Sequence, residues 1–475
     1  MDKSTLIPKN FQQEEAVKKG IDFIENGKSN EWFVIGGKAG TGKTTIAQMI
    51  LEPYIGKKTI LICALSHKAK LVLSEKLIKA FGDKAIISKS VAGALGMSMD
   101  VETGKFVIDG SIKQDPPIKS ASIIVIDEGS MINETSHELI MREKRKKAKV
   151  IYLGDIRQLP PIREENDKFK DKPSPIFYGN NNVILTERIR QGEDSPILPF
   201  ADYFGDNSRV RCPSLNPAPA TVKRNIVSQH GALVFADNIT DVIETVLPLY
   251  KYAVEKGDMN VVKTVTYRND TRKFINTLVR LQLFGSNNAD GHFTKGDLLM
   301  FQDNYQVADL TEPISNSFEI QVNNVENIMD EDYKVWKLEF IHEAKPISIL
   351  VLDNSEVKRH AADVTAKFNY AKSLPFGTDE RIDALAKAWG LKRRYALIDH
   401  AYAITSHKAQ GSTYNTVIVH ESDIMSVNMI SNKEKSQSMY TAITRASTTC
   451  IMIDGQEADE TLEKAIELST QKLTQ

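Results

Sequence analysis

Residues 36–48, GGKAGTGKTTIAQ, decide the fold of the first part of this chain. They follow a short apolar run, EWFVI, and they lead into TTIAQMILEPYI, which has helical spacing. Residues 37–44 match GxxxxGK[ST] in the strand–loop–helix context that a phosphate-binding loop requires. The sequence therefore predicts a P-loop in an α/β domain, but this motif alone does not say what kind of ATP-using protein carries it.

The residues of this loop have tasks that follow from their chemistry. Glycines let backbone N–H groups turn toward phosphate oxygens, and the helix N-terminus adds a partial positive charge. We expect the Lys43 ammonium to reach the β- and γ-phosphates and the Thr44 hydroxyl to bind Mg²⁺. The residues expected to hold ATP here are Gly37, Lys38, Ala39, Gly40, Thr41, Gly42, Lys43, Thr44 and Thr45.

The bulk properties of the chain bound its class. A length of 475 residues predicts about two to four domains. The formal net charge of −1 argues against binding nucleic acid through overall positive charge, although a locally basic groove stays compatible with it. Cys63, Cys212 and Cys450 are widely spaced, which fits a reducing compartment rather than a disulfide framework or a zinc site. No run resembles a signal peptide or the ~20 apolar residues of a membrane span, so we expect a cytoplasmic protein without a membrane partner.

Further apolar runs extend the α/β pattern. KKTILICALS, SASIIVIDEGS and KAKVIYLGD read as buried strands that alternate with amphipathic helices. This pattern predicts a parallel sheet covered on both faces. Residues 98–117 interrupt it with two β-prone runs around Gly104, which indicates an inserted hairpin. Later, KGDLLMFQDNY, SFEIQVNNV and YKVWKLEFI indicate a small β-rich insertion, followed by a helix over DERIDALAKAWGLKRR.

Two short stretches at strand ends supply the acidic and sensing groups. In IIVIDEGSM, Asp127 is placed to hold the Mg²⁺ shell, and Glu128 to orient or deprotonate the attacking water. In GDIRQLPPI, Gln158 is placed to hydrogen-bond the γ-phosphate, on a loop that Pro160 and Pro161 stiffen. A plain acidic strand end and a plain proline turn are the alternatives for these two stretches.

The order of five stretches is more specific than any one of them. GKAGTGKTT, DEGSM, GDIRQLPP, SHKAQGST and YTAITRA, in this order, resemble the motifs of superfamily 1 helicases. The QLPP and HKAQG forms resemble the 1B branch, the RecD/Dda-like helicases. This resemblance implies two RecA-like P-loop domains, ATP and Mg²⁺ as cofactors, and single-stranded DNA and duplex junctions as substrates. It also implies that the protein is a monomer in the cytoplasm of a bacterial or phage-infected host cell. A single-strand-binding protein or a replisome component is implied as a further partner.

The resemblance also implies roles for individual residues. Gln13 resembles the glutamine that reads adenine, while Gln410 and Gly411 belong to the motif that links DNA contact to the nucleotide. Nucleic-acid contact is implied for Ser66, His67, Ser90, Tyr267, Asn269, Thr405, His407 and Lys408. Relatives often have histidine where this chain has Ala92.

Arginines are expected to reach the γ-phosphate from a second domain. The resemblance implies this role for Arg190, in TERIRQ, and for Arg445, in AITRA. Positive charge at the transferred phosphoryl group is worth ~10³–10⁵-fold in rate. Arg188 lies close enough to be the functional arginine in place of Arg190, and Arg445 on a solvated helix face is the simpler alternative.

Two other features have open interpretations. Phe106, in the hairpin, either stacks on the last base pair of a duplex or packs under the hairpin. The basic run REKRKKAK, residues 142–149, either contacts nucleic acid or forms the solvated end of a helix.

We therefore expect an α/β protein of two RecA-like domains with two insertions. The expected boundaries are a first motor domain at 1–182 with a hairpin at about 97–118, a second motor domain at 183–285 and 395–475, and a β-rich, SH3-like insertion at 286–394. The expected function is ATP-dependent translocation on single-stranded DNA, 5′ to 3′ by resemblance, with duplex unwinding. An Upf-like RNA helicase and a P-loop ATPase without strand separation are the alternatives. Replication, recombination and repair all remain open as pathways.

Overall fold

The structure is a computed structural model that describes residues 7–64, 86–99, 106–108, 115–161, 172–188, 195–207, 225–285, 292–307, 310, 313–428, 430–454 and 460–474. Within these ranges the chain forms two α/β units, each built on a six-stranded sheet, and a smaller insertion in the second unit. Among the helices in these ranges, none combines the length and the apolar character that a membrane span needs.

The first unit is a parallel sheet between layers of helices. Its elements, in chain order, are α1 (Phe11–Asn26), β1 (Trp32–Gly37), α2 (Lys43–Leu51), β2 (Ile60–Ala64), β3 (Ile86–Ser90), α3 (Val91–Ala94), β4 (Met97–Met99), β5 (Phe106–Ile108), α4 (Pro117–Ser120), β6 (Ile123–Asp127), α5 (Glu134–Glu143), β7 (Lys149–Gly154) and β8 (Asn181–Leu185). The sheet order is β3-β2-β6-β7-β1-β8, and every neighbouring pair is parallel. The carboxyl ends of β1, β6 and β7 therefore meet at one edge, where open α/β sheets bind ligands.

Two core clusters cover the two faces of this sheet. Alternate residues of the same strands enter different clusters, with Ile35 of β1 on one face and Val34 on the other. Strands that are apolar throughout need this burial on both faces, which is the reason for the α/β layering. The strands β4 and β5 pair antiparallel from Met97↔Ile108 to Met99↔Phe106, within the segment expected to hold a hairpin. The side chain of Phe106 lies outside the described part of the structure.

The second unit starts with α6 (Ile197–Asn207), β9 (Ile226–Ser228), β10 (Gly231–Ala236), α7 (Ile239–Lys256), β11 (Val262–Thr266) and α8 (Asn269–Phe284). The strand β8 crosses the boundary expected at 182 and 183, because it pairs with β1 of the first sheet. The helix α6 belongs to the second unit, since Phe200 and Phe204 are buried in its core.

The insertion combines two small sheets with a pair of helices. Its elements are β12 (Leu298–Phe301), β13 (Glu319–Gln321), β14 (Asn324–Asp330), β15 (Tyr333–His342), β16 (Lys345–Leu352), α9 (Val357–Ser373), α10 (Asp379–Arg393) and β17 (Ile398–His400). The sheets have the orders β13-β12-β17 and β14-β15-β16. Because β17 pairs with β12, the small sheet takes in residues beyond the expected end at 394.

The chain then returns to the second unit through β18 (Ala403–Thr405), α11 (Ser406–Ala409), β19 (Tyr414–His420), α12 (Glu421–Met425), α13 (Asn432–Ile443), β20 (Ala446–Ile453) and α14 (Thr461–Thr474). The second sheet has the order β18-β11-β19-β20-β10-β9, in which only the pair β9–β10 is antiparallel. The α/β class expected from the sequence is confirmed.

Candidate nucleotide and nucleic-acid sites

The loop between β1 and α2 has the backbone conformation that a P-loop needs. Gly40 and Gly42 have φ angles of +83° and +86°, which glycine adopts without steric cost. A Cβ atom at Gly42 would lie 2.7 Å from Gln13 Nε2, and one at Gly37 would lie 2.8 Å from the Leu185 carbonyl oxygen. No side chain caps the first turn of α2, so its N–H groups are available to an anion.

The lysine of the loop is held by the loop itself. Lys43 Nζ donates to the Gly37 carbonyl oxygen at 2.8 Å and to the Lys38 carbonyl oxygen at 3.1 Å. The ammonium group therefore lies at the end of the loop next to β1. We expect the terminal phosphate that such a lysine reaches at this same end of the loop.

The glutamine proposed to read adenine lies directly against the loop. Gln13 is 3% exposed, its Nε2 donates to the Thr41 carbonyl oxygen at 3.2 Å, and its Oε1 accepts from Lys9 N at 3.0 Å. Its neighbour Gln12 was not singled out from the sequence. Gln12 Oε1 accepts from Thr186 N at 2.9 Å, and its Nε2 donates to Thr186 Oγ1 at 2.8 Å. Gln12 thus connects α1 to the segment after β8 by hydrogen bonds. The only sequence signal for this contact is that a second glutamine stands beside Gln13.

The acidic pair lies at the end of β6, on the ligand-binding edge of the first sheet. Asp127 Oδ1 accepts from the Glu128 N–H at 2.8 Å. Glu128 has a φ of +51°, an uncommon conformation for this residue type. Such a conformation costs about 1–3 kcal/mol and is concentrated at functional sites. The fold holds Glu128 there because the chain must turn between β6 and the buried Gly129.

The oxygen donors here fit Mg²⁺. Thr44 begins the first turn of α2 together with Lys43, and Asp127 ends β6. A hydroxyl and a carboxylate are hard oxygen ligands of the kind that Mg²⁺ prefers. The described residues contain no group of three or more histidine, cysteine, aspartate and glutamate side chains around one point. A cation at Thr44 and Asp127 would therefore depend on phosphate and water for its other ligands, which is usual for Mg²⁺ in nucleotide sites.

A seam between the two units runs past the P-loop. The Tyr440 hydroxyl, on α13 of the second unit, donates to Asp155 Oδ2 at 2.7 Å and accepts from Ala39 N at 3.3 Å. Gln437 Nε2, one turn earlier on α13, donates to the Gln158 carbonyl oxygen at 2.8 Å. The loop after β7 is thus bonded to the second unit at several points.

The glutamine proposed as a γ-phosphate sensor is buried in this seam. Gln158 is 5% exposed, and its Oε1 atom has no hydrogen-bond partner among the described residues. The same is true of Gln410 Oε1, while Gln410 Nε2 donates to the Leu159 carbonyl oxygen at 3.3 Å. A buried oxygen without a partner costs about 1–3 kcal/mol. Both amides are therefore suited to bonding with a water molecule or a ligand at the seam.

The structure describes only one of the two arginines expected at the γ-phosphate. Arg190 lies outside the described residues. Arg445 is 5% exposed, and its guanidinium donates to the carbonyl oxygens of Thr441 and Ser412 and to Thr444 Oγ1, at 3.0–3.2 Å. All three acceptors belong to the second unit, so this structure does not bring Arg445 into contact with the P-loop.

The arginine considered as an alternative does contact the P-loop. Arg188 Nε donates to the Ala39 carbonyl oxygen at 3.3 Å. Its two terminal nitrogens donate to the carboxylate of Asp202 on α6, at 2.8 and 2.6 Å. Ala39 is thus bonded through its N–H to Tyr440 and through its carbonyl oxygen to Arg188.

A groove of about 630 Å³ lies beside the seam. It is lined by residues of the first unit, the second unit and the insertion. The second-unit residues expected to contact nucleic acid all line it, namely Tyr267, Asn269, Thr405, His407 and Lys408. Ser66 and His67 lie outside the described residues. Ser90 caps α3, where its Oγ accepts from Gly93 N at 3.0 Å, and it is not among the residues of the groove.

The groove presents an aromatic pair and a half-buried cation. The rings of Tyr267 and His407 meet edge to face with 5.7 Å between their centroids. Lys408 Nζ donates to Gln302 Oε1 at 2.5 Å, and Asn316 Oδ1 lies 3.4 Å away. Burial, together with the nearby charge of Arg272, lowers the pKa of Lys408 to about 8. An anion such as a phosphate in the groove would favour its protonated form.

Comparisons with known proteins agree with this geometry. Residues 18–164 match the AAA domain model, and residues 400–453 match the UvrD-like helicase C-terminal domain. Uncharacterized protein R530 of Acanthamoeba polyphaga mimivirus is 27% identical over 92% of this chain and 98% of its own. The ATP-dependent DNA helicase dda of Enterobacteria phage T4 is 23% identical over 72% of this chain and 65% of its own. Uncharacterized protein MJ1519 of Methanocaldococcus jannaschii is 24% identical over 96% of this chain, which spans only 39% of that relative.

Solved structures show the same fold. The Pif1 helicase from Bacteroides, in complex with ADP-AlF3 and single-stranded DNA, aligns with a TM-score of 0.51 at 14% identity, over 96% of this chain and 97% of its own. A Pif1 structure that addresses DNA unwinding at forked double-stranded DNA gives a TM-score of 0.51 at 15% identity, over 97% of both chains. The two units of this protein are thus RecA-like domains. The ordered motifs, the two family models and the similarity to the dda helicase together support a superfamily 1B helicase of the Dda/Pif1 type, and therefore an enzyme that hydrolyses ATP.

Proposed function

We propose that this protein is an ATP-dependent DNA helicase that moves along single-stranded DNA, from 5′ to 3′, and unwinds duplex DNA ahead of it. One observation carries the proposal. Gln410, at the end of α11, lines the groove and also donates to the Leu159 carbonyl oxygen in the loop after β7. The strand-binding groove and the nucleotide edge of the first sheet therefore share one short connection.

The nucleotide chemistry is assigned to the residues around the P-loop. The N-terminus of α2 and Lys43 bind phosphate, and Thr44 and Asp127 hold Mg²⁺, which supplies charge neutralisation at the β- and γ-phosphates. Glu128 orients or deprotonates the attacking water, and the buried amide of Gln158 bonds with the water or the γ-phosphate. Arginine charge reaches the site from Arg188 in the present arrangement, and from Arg190 and Arg445 as the domains close.

The groove is assigned to single-stranded DNA. Its polar side chains suit a phosphodiester backbone, and the paired rings of Tyr267 and His407 offer a surface on which bases can stack. The relatives support DNA as the substrate, because one is described as a DNA helicase and the Pif1 structures contain single-stranded DNA or address forked DNA. The β4–β5 pair is the proposed strand separator, with Phe106 as the residue that meets the duplex.

The coupling mechanism is domain closure. ATP that occupies the seam draws α13 and the loop after β7 together, and hydrolysis releases them. Because the groove spans both units and the insertion, the same closure changes the grip on the strand. We propose that this activity serves in replication, recombination or repair of DNA. A single-strand-binding protein or a replisome component is the proposed partner.

The test is strand displacement on duplexes that carry a single-stranded tail at the 5′ or the 3′ end. Unwinding of the 5′-tailed duplex alone is expected, with loss of the activity in Lys43→Ala. The control is Lys57→Ala, an exposed lysine in the turn after α2 whose loss should not alter the rate. Unwinding that persists in a folded Lys43→Ala variant would refute the proposal. Stimulation of ATP hydrolysis by poly(U) rather than by poly(dT) would instead indicate an RNA helicase.

A further inference from the structure

Three cationic side chains of the first unit lie near the end of the P-loop that is next to β1. Lys38 lies in the loop, Arg157 follows β7, and Arg188 follows β8. Their side chains do not point to solvent, since Lys38 and Arg188 are each 14% exposed and Arg157 is 5% exposed. Buried or half-buried cations need anionic partners, because their charge is costly without them.

Two carboxylates on α6 provide these partners. Asp202 Oδ2 lies 2.9 Å from Lys38 Nζ, and the same carboxylate binds Arg188 in a two-point contact at 2.6 and 2.8 Å. Asp206, one turn further along α6, lies 3.1 Å from Arg157 NH2 and 3.9 Å from Lys38 Nζ. The contact of Asp202 with Arg188 has the fork geometry that makes arginine–carboxylate pairs strong and directional.

The carboxylates and the cations come from different units. The helix α6 is anchored in the second core through Phe200 and Phe204, while all three cations belong to the first unit. Between the two aspartates, α6 passes close to the seam: a Cβ atom at Gly205 would lie 2.7 Å from the Tyr440 ring and 2.9 Å from Arg157 Cδ. The ion pairs are therefore part of a tightly packed contact between the motor domains.

The position of Arg188 relative to the loop gives these pairs a function. Its Nε bonds to the Ala39 carbonyl oxygen, next to the end of the loop where Lys43 Nζ lies. This is the end at which the terminal phosphate is expected. Among the described residues, Arg188 without Asp202 would keep only the single bond to Ala39, and its guanidinium could rotate away.

We propose that Asp202 is a positioning residue for ATP hydrolysis: from the second domain, it holds Arg188 and Lys38 at the γ-phosphate end of the P-loop, and Asp206 supports it through Arg157. The inference rests on the proposed function. Asp202 does not touch the nucleotide itself, and its effect passes through the two cations. A small displacement of a group that stabilises the transition state can lower the rate about 10²-fold.

The test separates turnover from binding in steady-state ATP hydrolysis stimulated by poly(dT). In Asp202→Asn, which keeps the size but loses the charge, we expect kcat to fall by about 10²-fold while KM for ATP changes by less than about threefold. Asp202→Glu, which restores the carboxylate, should recover most of kcat. Asp237→Asn, an exposed aspartate of the same unit, is the matched control and should behave as wild type.

A double-mutant cycle tests whether Asp202 acts through Arg188. If Arg188 carries most of the effect, Asp202→Asn should slow Arg188→Lys much less than the about 10²-fold by which it slows wild type. Additive losses would overturn the inference, as would a kcat of Asp202→Asn within twofold of wild type, or lowered KM with unchanged kcat. Lys43→Ala is measured in parallel: if it abolishes hydrolysis while Asp202→Asn has no effect, this inference fails and the proposed function stands. If Asp202→Asn does not fold, the recovery in Asp202→Glu and the Arg188→Lys single variant decide the outcome.

Discussion

Replacing Tyr440 with phenylalanine removes one hydroxyl group from the seam between the motor domains. That hydroxyl donates to Asp155 Oδ2 at 2.7 Å and accepts from the Ala39 N–H at 3.3 Å. Tyr440 is 0% and Asp155 is 1% exposed, so water cannot easily replace the lost group. Among the described residues, the Asp155 carboxylate keeps one other hydrogen bond, from the Arg157 N–H to Oδ1 at 3.0 Å.

The size of the effect follows from these two bonds. A hydrogen bond to a charged group contributes about 1.5–3 kcal/mol and a neutral one about 0.5–1.5 kcal/mol. The phenylalanine variant should therefore lose about 3 kcal/mol of stability at the seam. For domains of this size, 1 kcal/mol corresponds to about 2–4 °C in Tm, so we expect Tm to fall by about 6–12 °C.

Thermal unfolding followed by calorimetry and by circular dichroism measures this shift. Tyr370→Phe is the matched control, because Tyr370 is 57% exposed on α9 and its hydroxyl makes a long contact, 3.5 Å, with Glu380. Its stability should stay within about 0.5 kcal/mol of wild type. Equal Tm values for Tyr440→Phe and Tyr370→Phe would refute the reasoning, since the seam bonds would then contribute nothing to the folded state.

Three further predictions concern the loop, the groove and the insertion. Gly42→Ala should weaken ATP binding about tenfold, because alanine disfavours a φ of +86° and its Cβ would contact Gln13. Binding of a fluorescent nucleotide measures this change. Gly56→Ala is the control, since Gly56 has a φ of +73° and open space around it. The affinity for labelled oligo(dT) should fall by up to about tenfold between pH 7 and 9. The pKa of Lys408, about 8, lies below its ordinary value, and phosphate binds the protonated form. Lys408→Arg should remove this pH dependence. Asp297→Asn should cost about 3–5 kcal/mol in urea unfolding, because it removes the carboxylate charge from an ion pair with the fully buried Arg280; a loss below 1 kcal/mol would contradict this.

The sequence contained enough local information for the α/β class and for the P-loop. Continuous apolar strands and a glycine pattern are local features, so they indicate the strand–loop–helix unit without knowledge of tertiary contacts. The two-domain arrangement and the helicase class followed from the order of five motifs, and both are confirmed. Tyr267, Asn269 and Lys408 lie along one groove, and the nucleic-acid roles that the resemblance implies for them stay predictions.

The contacts across the seam were not predictable from local patterns. Asp202 lies in PFADYFG, where an exposed helix position and a partner of two cations look alike in the sequence. Its role depends on the packing of α6 against the first unit, which brings together residues that are 164 positions apart, such as Lys38 and Asp202. The helix α9 was also missed, because it buries only His360 and Ala371 and so has little periodic signal.

The present arrangement indicates which contacts must change during the reaction. Arg445 satisfies its guanidinium with three acceptors of its own domain, so contact with a nucleotide requires it to give up some of these bonds. Arg188 already donates to the Ala39 carbonyl oxygen, and the Tyr440 hydroxyl accepts from the Ala39 N–H. Phosphate bound beside Ala39, as proposed, would act on Arg188 and on Tyr440 of α13, because both residues bond to Ala39. A strand bound in the groove, as proposed, would act on the same seam through Gln410 and Leu159. Because both ligands bias one interface, each should strengthen the binding of the other, and weakening that interface in Tyr440→Phe should reduce the stimulation of ATP hydrolysis by poly(dT) more than it reduces the unstimulated rate.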